Sequence, residues 1–152
     1  MISQTSEYAL RAIVFLGNEG GIPQTTAQIS AATKAPSSYL SKVMQKLNQQ
    51  GIVGSQRGLH GGFTIKKPLT ELTILDVVNA VDPIQRIKEC PLGNRAHAKN
   101  LCPLHSTMDA MMAQAEETLR NVTIDNLLEE PRRARACRFP CKARSTKCAA
   151  PS

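Results

Sequence analysis

The segment IVGSQRGLHGGFTIKKP, residues 52–68, constrains this chain more than any other. Ile52-Val53 and Phe63-Thr64-Ile65 read as two short strands, and the loop between them, Gly54 to Gly62, is rich in glycine. Pro68 closes the unit. Two helical signals precede it. Thr25 and Gln28 have capping-box spacing, which opens a short helix running through Ile29 to about Thr33. Pro36 suits the first turn of a second helix, because its missing N–H has no partner there. Leu40, Val43, Met44 and Leu47 give that helix a buried stripe, and Gly51 ends it. Ser37, Ser38, Ser41, Lys42 and Gln45 fall on the opposite face. A helix–turn–helix followed by a two-strand hairpin is a winged helix. The expected fold is therefore mainly α with a small β-hairpin wing.

The remaining elements fit around that unit. Ile2, Ala9, Ala12, Ile13 and Leu16 recur at helical spacing and predict a helix over about 3–17, ending near Gly17 and Gly20-Gly21. Glu7 and Arg11 within it, and the lack of a basic start and cleavage site, argue against a signal peptide. Thr73 starts a helix carrying Leu75, Val78 and Val81, stopped at Asp82-Pro83. A loop rich in Cys, Gly, Asn and His spans Glu89 to Cys102. Pro103 opens a long C-terminal helix to about Asn121, with Leu104, Met108, Met111, Met112, Ala115 and Leu119 along one stripe. That stripe is either core or a surface for the same helix of a second chain, and two-fold dimers are the commonest assembly. Val122 to Glu130 reads as a terminal turn. The resulting division is 1–82, winged helix; 83–102, cysteine-containing sensor loop; 103–130, dimerisation helix and turn; 131–152, a basic, disordered tail.

Charge follows the same division. The net charge is +7, and Arg132, Arg133, Arg135, Arg138, Lys142, Arg144 and Lys147 of the tail equal that excess. Between Gly20 and Thr70 lie Lys34, Lys42, Lys46, Arg57, Lys66 and Lys67 with no acid. From Glu71 to Glu130 acids outnumber bases. One half suits a polyanion and the other faces away from it, although an ordinary solvated face reads the same on charge alone. Aromatic residues are only 3% and Trp is absent, which argues against a carbohydrate platform or an aromatic single-strand surface. No run approaches the ~18 apolar residues of a membrane span, so no membrane partner is expected. No serine–histidine–acid set, phosphate-cradling loop or carboxylate pair suggests an enzyme.

In a helix–turn–helix the second helix enters a major groove with its N-terminal residues at base edges. Those are Pro36, Ser37, Ser38 and Tyr39, with Lys42 one turn later and Thr26 at the head of the first helix. Hydroxyls reach bases or phosphates, and lysine reaches phosphate. The wing presents Arg57, His60, Gly61 and Gly62; glycines allow close backbone approach, and arginine suits a narrow minor groove. Ser37 reads equally as a helix cap, and His60 as a solvated loop residue.

Cys90 and Cys102 flank the loop, and His105 follows Cys102 by three. Two thiolates and an imidazole suit an iron–sulfur cluster or zinc. Reversible thiol oxidation and an inert, proline-shaped loop are the other readings. The total of five cysteines is odd, and a disulfide framework is not the default. Cys137, Cys141 and Cys148 lie among the arginines of the tail, where phosphate contact is the preferred reading.

ISQTSEYALRAIVFL, SSYLSKVMQKLNQQGIV and the wing RGLHGGF, with the late NVTIDNLLEE, resemble the Rrf-two family of bacterial winged-helix transcription regulators (IscR- and NsrR-like) across residues 1–130. The resemblance implies a cytoplasmic regulator, a repressor, bound as a homodimer to a partly palindromic double-stranded operator, with residues 103–120 as the dimer helix. It implies that Ser38, Tyr39, Arg57 and Gly61-Gly62 lie at the DNA. Relatives often carry an acid where Ser41 stands, a departure that bears on operator sequence. In cluster-binding relatives the loop supplies three cysteines, and one branch adds a histidine. Cys90, Cys102 and His105 fall on the first and third cysteines and that histidine, whereas the middle position is Ala96, with His97 beside it. The fourth ligand would then be His97, or Glu7 from the first helix of the partner chain. The alternative is a regulator without cofactor, controlled by a docked partner protein such as an enzyme of cysteine biosynthesis.

Overall fold

A computed structural model of the chain describes residues 2–58, 60–91 and 101–133. Ala96, His97 and the tail cysteines Cys137, Cys141 and Cys148 lie outside the described residues. Helix α1 (Gln4–Asn18) starts where the Ser3 hydroxyl accepts the Ser6 N–H at 3.2 Å. It buries Ala9, Ala12, Ile13 and Leu16 as their spacing requires. Ile2 does not join this stripe: it precedes the helix and is 49% exposed. The helix ends at Asn18, near Gly17 as expected. Gly17 has a second role in the last turn: a β-carbon there would come within 2.9 Å of Leu128, so its bare backbone admits a later helix.

Helix α2 (Thr26–Thr33) has the expected capping box. Gln28 N–H donates to the Thr25 hydroxyl at 3.3 Å, and Thr25 N–H donates to the Gln28 side chain at 2.8 Å. Pro36 is the cap residue of α3 (Ser37–Gln49), which buries Leu40, Val43, Met44 and Leu47. Gly51, at φ 71, turns the chain out of α3. Strands β1 (Val53–Gln56) and β2 (Gly62–Ile65) pair antiparallel, with Val53 opposite Ile65 and Gln56 opposite Gly62. The strand thus runs through Gly54, Ser55 and Gln56, positions expected in the loop, because backbone pairing continues after the apolar pattern stops. A further pairing joins the wing to the turn before α2: Phe63 N–H donates to Gln24 O at 2.8 Å and Gln24 N–H to Phe63 O at 3.1 Å.

Helix α4 (Ile74–Val81) is capped by Thr73 and Asp76, and α5 (Pro103–Arg120) packs against it. After α5 the chain returns alongside residues 72–74, with Ile74 N–H on Val122 O at 3.0 Å and Ile124 N–H on Leu72 O at 2.8 Å. The expected terminal turn is in fact a ten-residue helix, α6 (Ile124–Arg133), which extends into the segment assigned to the tail. Thr123 and Asn126 cap it reciprocally, at 3.1 and 3.2 Å. Ile124 is fully buried, and Leu127 and Leu128 pack on the core. Helix α1 is the centre of this core and touches α2, α3, α4 and α6. Among the described residues, no helix is long and apolar enough to cross a membrane.

Candidate nucleic-acid interface and cysteine–histidine site

Burying the α3 stripe turns Pro36, Ser37, Ser38, Tyr39 and Lys42 outward, all exposed, while Thr26 is half-buried at the first position of α2. Ser37 is not the helix cap, since Pro36 holds that position; its carbonyl accepts the Ser41 hydroxyl at 3.0 Å. Tyr39 is 42% exposed, yet its hydroxyl lies 2.6 Å from that of Thr5. Its ring meets Tyr8 edge-on at 5.8 Å. Arg11 lies 6.0 Å from the Tyr8 ring centre, pairs with Glu7 one turn away, and donates to Thr33 O at 3.3 Å. Aromatic and polar contacts therefore fasten the N-terminal end of α3 to α1, and Arg11 joins α1 to the end of α2. Sequence spacing alone did not disclose these contacts, which span up to 34 residues.

Arg57 and His60 are exposed at the wing tip. The two glycines beside them have reasons inside the protein. A β-carbon at Gly61 would lie 2.5 Å from Gln56 O, and one at Gly62 would lie 2.7 Å from Gln24 O. Of the six bases between residues 20 and 70, Lys46 donates to Val81 O at 2.7 Å and Lys67 pairs with Asp76 at 2.8 Å. Partial burial pulls the Asp76 pKa upward, but the Lys67 ammonium and the Thr73 donors outweigh it and hold the carboxyl below its ordinary value. Lys34, Lys42, Arg57 and Lys66 are exposed, as is Lys46 itself, whereas Lys67 is half-buried.

On another part of the molecule, Cys90, Cys102 and His105 converge. Their donor atoms all lie within 4.8 Å of one another, with His105 Nδ1 3.1 Å from Cys102 Sγ and 3.8 Å from Cys90 Sγ. Cys102 is the cap residue of α5 and His105 sits in its first turn, so one helix start sets two of the three donors. All three are half-buried, and both thiols are free. Two sulfurs and an imidazole nitrogen at this spacing fit a soft metal centre. Glu7 is not in this group; within the chain it pairs with Arg11.

Cys90 arrives by an irregular strap after α4, and a clamp holds that strap. Arg86 Nε and Nη2 donate to the two Asp109 oxygens at 2.7 and 2.6 Å, and Nη1 donates to Glu116 at 3.2 Å. Ile87 N–H adds a bond to Asp109 at 2.9 Å. The Arg86 fork holds the Asp109 carboxyl below its ordinary value; partial desolvation opposes it and the Ile87 N–H assists. These residues escaped the sequence reading. The available signal was His105, Asp109 and Glu116 on one face of a helix, at steps of four and seven.

Residues 2–130 match the model of one protein family, described as Rrf2, iron-dependent transcriptional regulator. The transcriptional regulator IscR of Pectobacterium carotovorum is 26% identical over 130 residues, covering 84% of this chain and 78% of that protein. The structure of T. potens IscR superposes with a TM-score of 0.72 at 18% identity, over 91% of this chain and 93% of that one. CymR, the global cysteine regulator of B. subtilis, superposes with a TM-score of 0.68 at 20% identity, over 86% and 97%.

Proposed function

Because this chain belongs to the Rrf2 family of transcriptional regulators, we propose that it is a homodimeric operator-binding repressor whose DNA affinity is set by an iron–sulfur cluster at Cys90, Cys102 and His105. The chain is a regulator, as its named relatives are, and not an enzyme. The observation that carries the control site is the convergence of the three donors at the start of α5, within 4.8 Å. A cluster needs a fourth ligand, for which Glu7 of a second copy or His97 is the candidate. When bound, the cluster would supply a redox-sensitive charge beside α5. Its loss or oxidation would move the strap and α5 together, and so alter the spacing of two reading helices that must meet both half-sites at once.

Protein isolated anaerobically is expected to be coloured and to contain iron and acid-labile sulfide. Cys90→Ala is expected to lose both and to lose the signal response, while still binding DNA. A Cys90→Ala protein that responds normally would place the sensor elsewhere. Colourless wild-type protein without iron would favour one of two other readings, a reversible Cys90–Cys102 disulfide or a docked partner protein recovered in pull-downs. Ala96 at the middle position, which leaves the loop with two cysteines, is what supports these.

For the DNA surface we propose Thr26, Pro36, Ser37, Ser38, Tyr39 and Lys42 from the two helices, with Arg57, His60, Gly61 and Gly62 from the wing. Arg57 is the exposed guanidinium at the wing tip. Arg57→Ala is expected to weaken operator binding by about 1–3 kcal/mol, measured at fixed salt. Unchanged affinity would remove it from the interface.

A further inference from the structure

We infer that Arg86 is the positioning residue of the cysteine–histidine site, holding Cys90 in reach of Cys102 and His105 by clamping its strap along α5. The inference rests on the proposed role of that site and adds the residue that assembles it. Two of the three donors, Cys102 and His105, are three residues apart at the start of one helix and need no further device. Cys90 has no such support. It ends a segment, residues 83–90, that has no helix or strand, and such a segment gains a fixed path only from its contacts.

The clamp supplies that path at four points. Three hydrogen bonds leave the Arg86 guanidinium for Asp109 and Glu116, and the next residue adds the Ile87 N–H to the same Asp109 carboxylate. Asp109 is one helical turn beyond His105, and Glu116 lies two turns farther on the same face. A strap pinned at Asp109 therefore runs along the line that His105 begins, and Cys90, four residues past Arg86, reaches the imidazole at 3.8 Å. Arginine is the residue for this task, since its planar fork meets both carboxylate oxygens at once, whereas a lysine ammonium meets one point.

The test uses the reduced full-length chain and dibromobimane, which joins two nearby thiols as each thiolate displaces one bromide. Peptide mapping separates the Cys90–Cys102 product from any involving the tail cysteines. Wild type is expected to give the Cys90–Cys102 link. R86Q and D109N are expected to lower its yield about tenfold, through loss of the ordering that keeps the thiols adjacent, with R86K between them and wild type. The α1–α4 core does not depend on the clamp, so helical circular dichroism is expected to match wild type in all three. In parallel, cobalt(II) is titrated into each protein and its thiolate absorption followed, with weaker binding expected in R86Q. Wild-type linking in R86Q and D109N would overturn the positioning role. Failure of wild type to bind cobalt(II), with linking still lost in R86Q, would instead refute the metal reading and leave the clamp standing.

Discussion

Gly62→Ala is expected to lower the thermal unfolding midpoint by roughly 3–15 °C, from a loss of about 1–3 kcal/mol. The new β-carbon would lie 2.7 Å from both the carbonyl carbon and the oxygen of Gln24, and 2.8 Å from its nitrogen. Those are backbone atoms, fixed by two hydrogen bonds to Phe63, so they cannot swing aside as a side chain would. Relief comes only by opening that pairing, which frees the wing from the turn before α2. Operator affinity is expected to fall with it, because the wing tip is then no longer held relative to α3. Gly54→Ala is the matched control. It lies in the other strand of the same hairpin, and there the clash is with the end of the flexible Lys66 side chain. It is expected to cost less than Gly62→Ala, because a flexible side chain can move aside where paired backbone cannot. Circular dichroism melts of the two variants decide the matter, and equal midpoints would show that the Gln24 pairing holds nothing.

Local pattern made the helical part of this fold legible. The capping box at Thr25 and Gln28, the stripe Leu40–Val43–Met44–Leu47 and the stop at Gly51 are contained in a few consecutive residues, and each is seen where its spacing placed it. The hairpin was legible in kind but not in extent, because Ser55 and Gln56 are exposed on β1 and carry no apolar signal. Three features required partners far apart in sequence: the pairing of Gln24 with Phe63, Gly17 admitting Leu128, and the Arg86 clamp on α5. An arginine in a polar strap looks like any solvated charge until the carboxylates 23 and 30 residues later are brought beside it. The cysteine–histidine group lay between these extremes. Cys102, Pro103 and His105 are neighbours in the sequence, and only the approach of Cys90 depended on the fold.

Met111→Glu is expected to convert the protein from dimer to monomer in sedimentation, and to weaken binding to a two-half-site operator by about 100-fold or more, since paired half-sites gain that much from linkage. No residue of α5 is buried within the chain. Leu104 is 65% exposed, Met108 40% and Met111 62%, at steps of four and three along one face. Leu104, Met108 and Met111 are thus not core in the single chain, whereas Met112, Ala115 and Leu119 of the same stripe are half-buried; the proposed second copy would cover the exposed part. Across a two-fold axis one substitution acts twice, placing a carboxylate from each chain in an apolar contact with no partner for either, which costs far more than the lost thioether packing. Within the chain Met111 contributes nothing to the buried cluster around α1, so helical content and the melting of that core are expected to match the wild-type monomer unit. Those two readouts separate loss of pairing from loss of folding. A Met111→Glu protein that stays dimeric and holds its operator normally would move the dimer contact off this face of α5. It would also remove the proposed route by which a change at Cys90, Cys102 and His105 would reach the α3 helices of both copies.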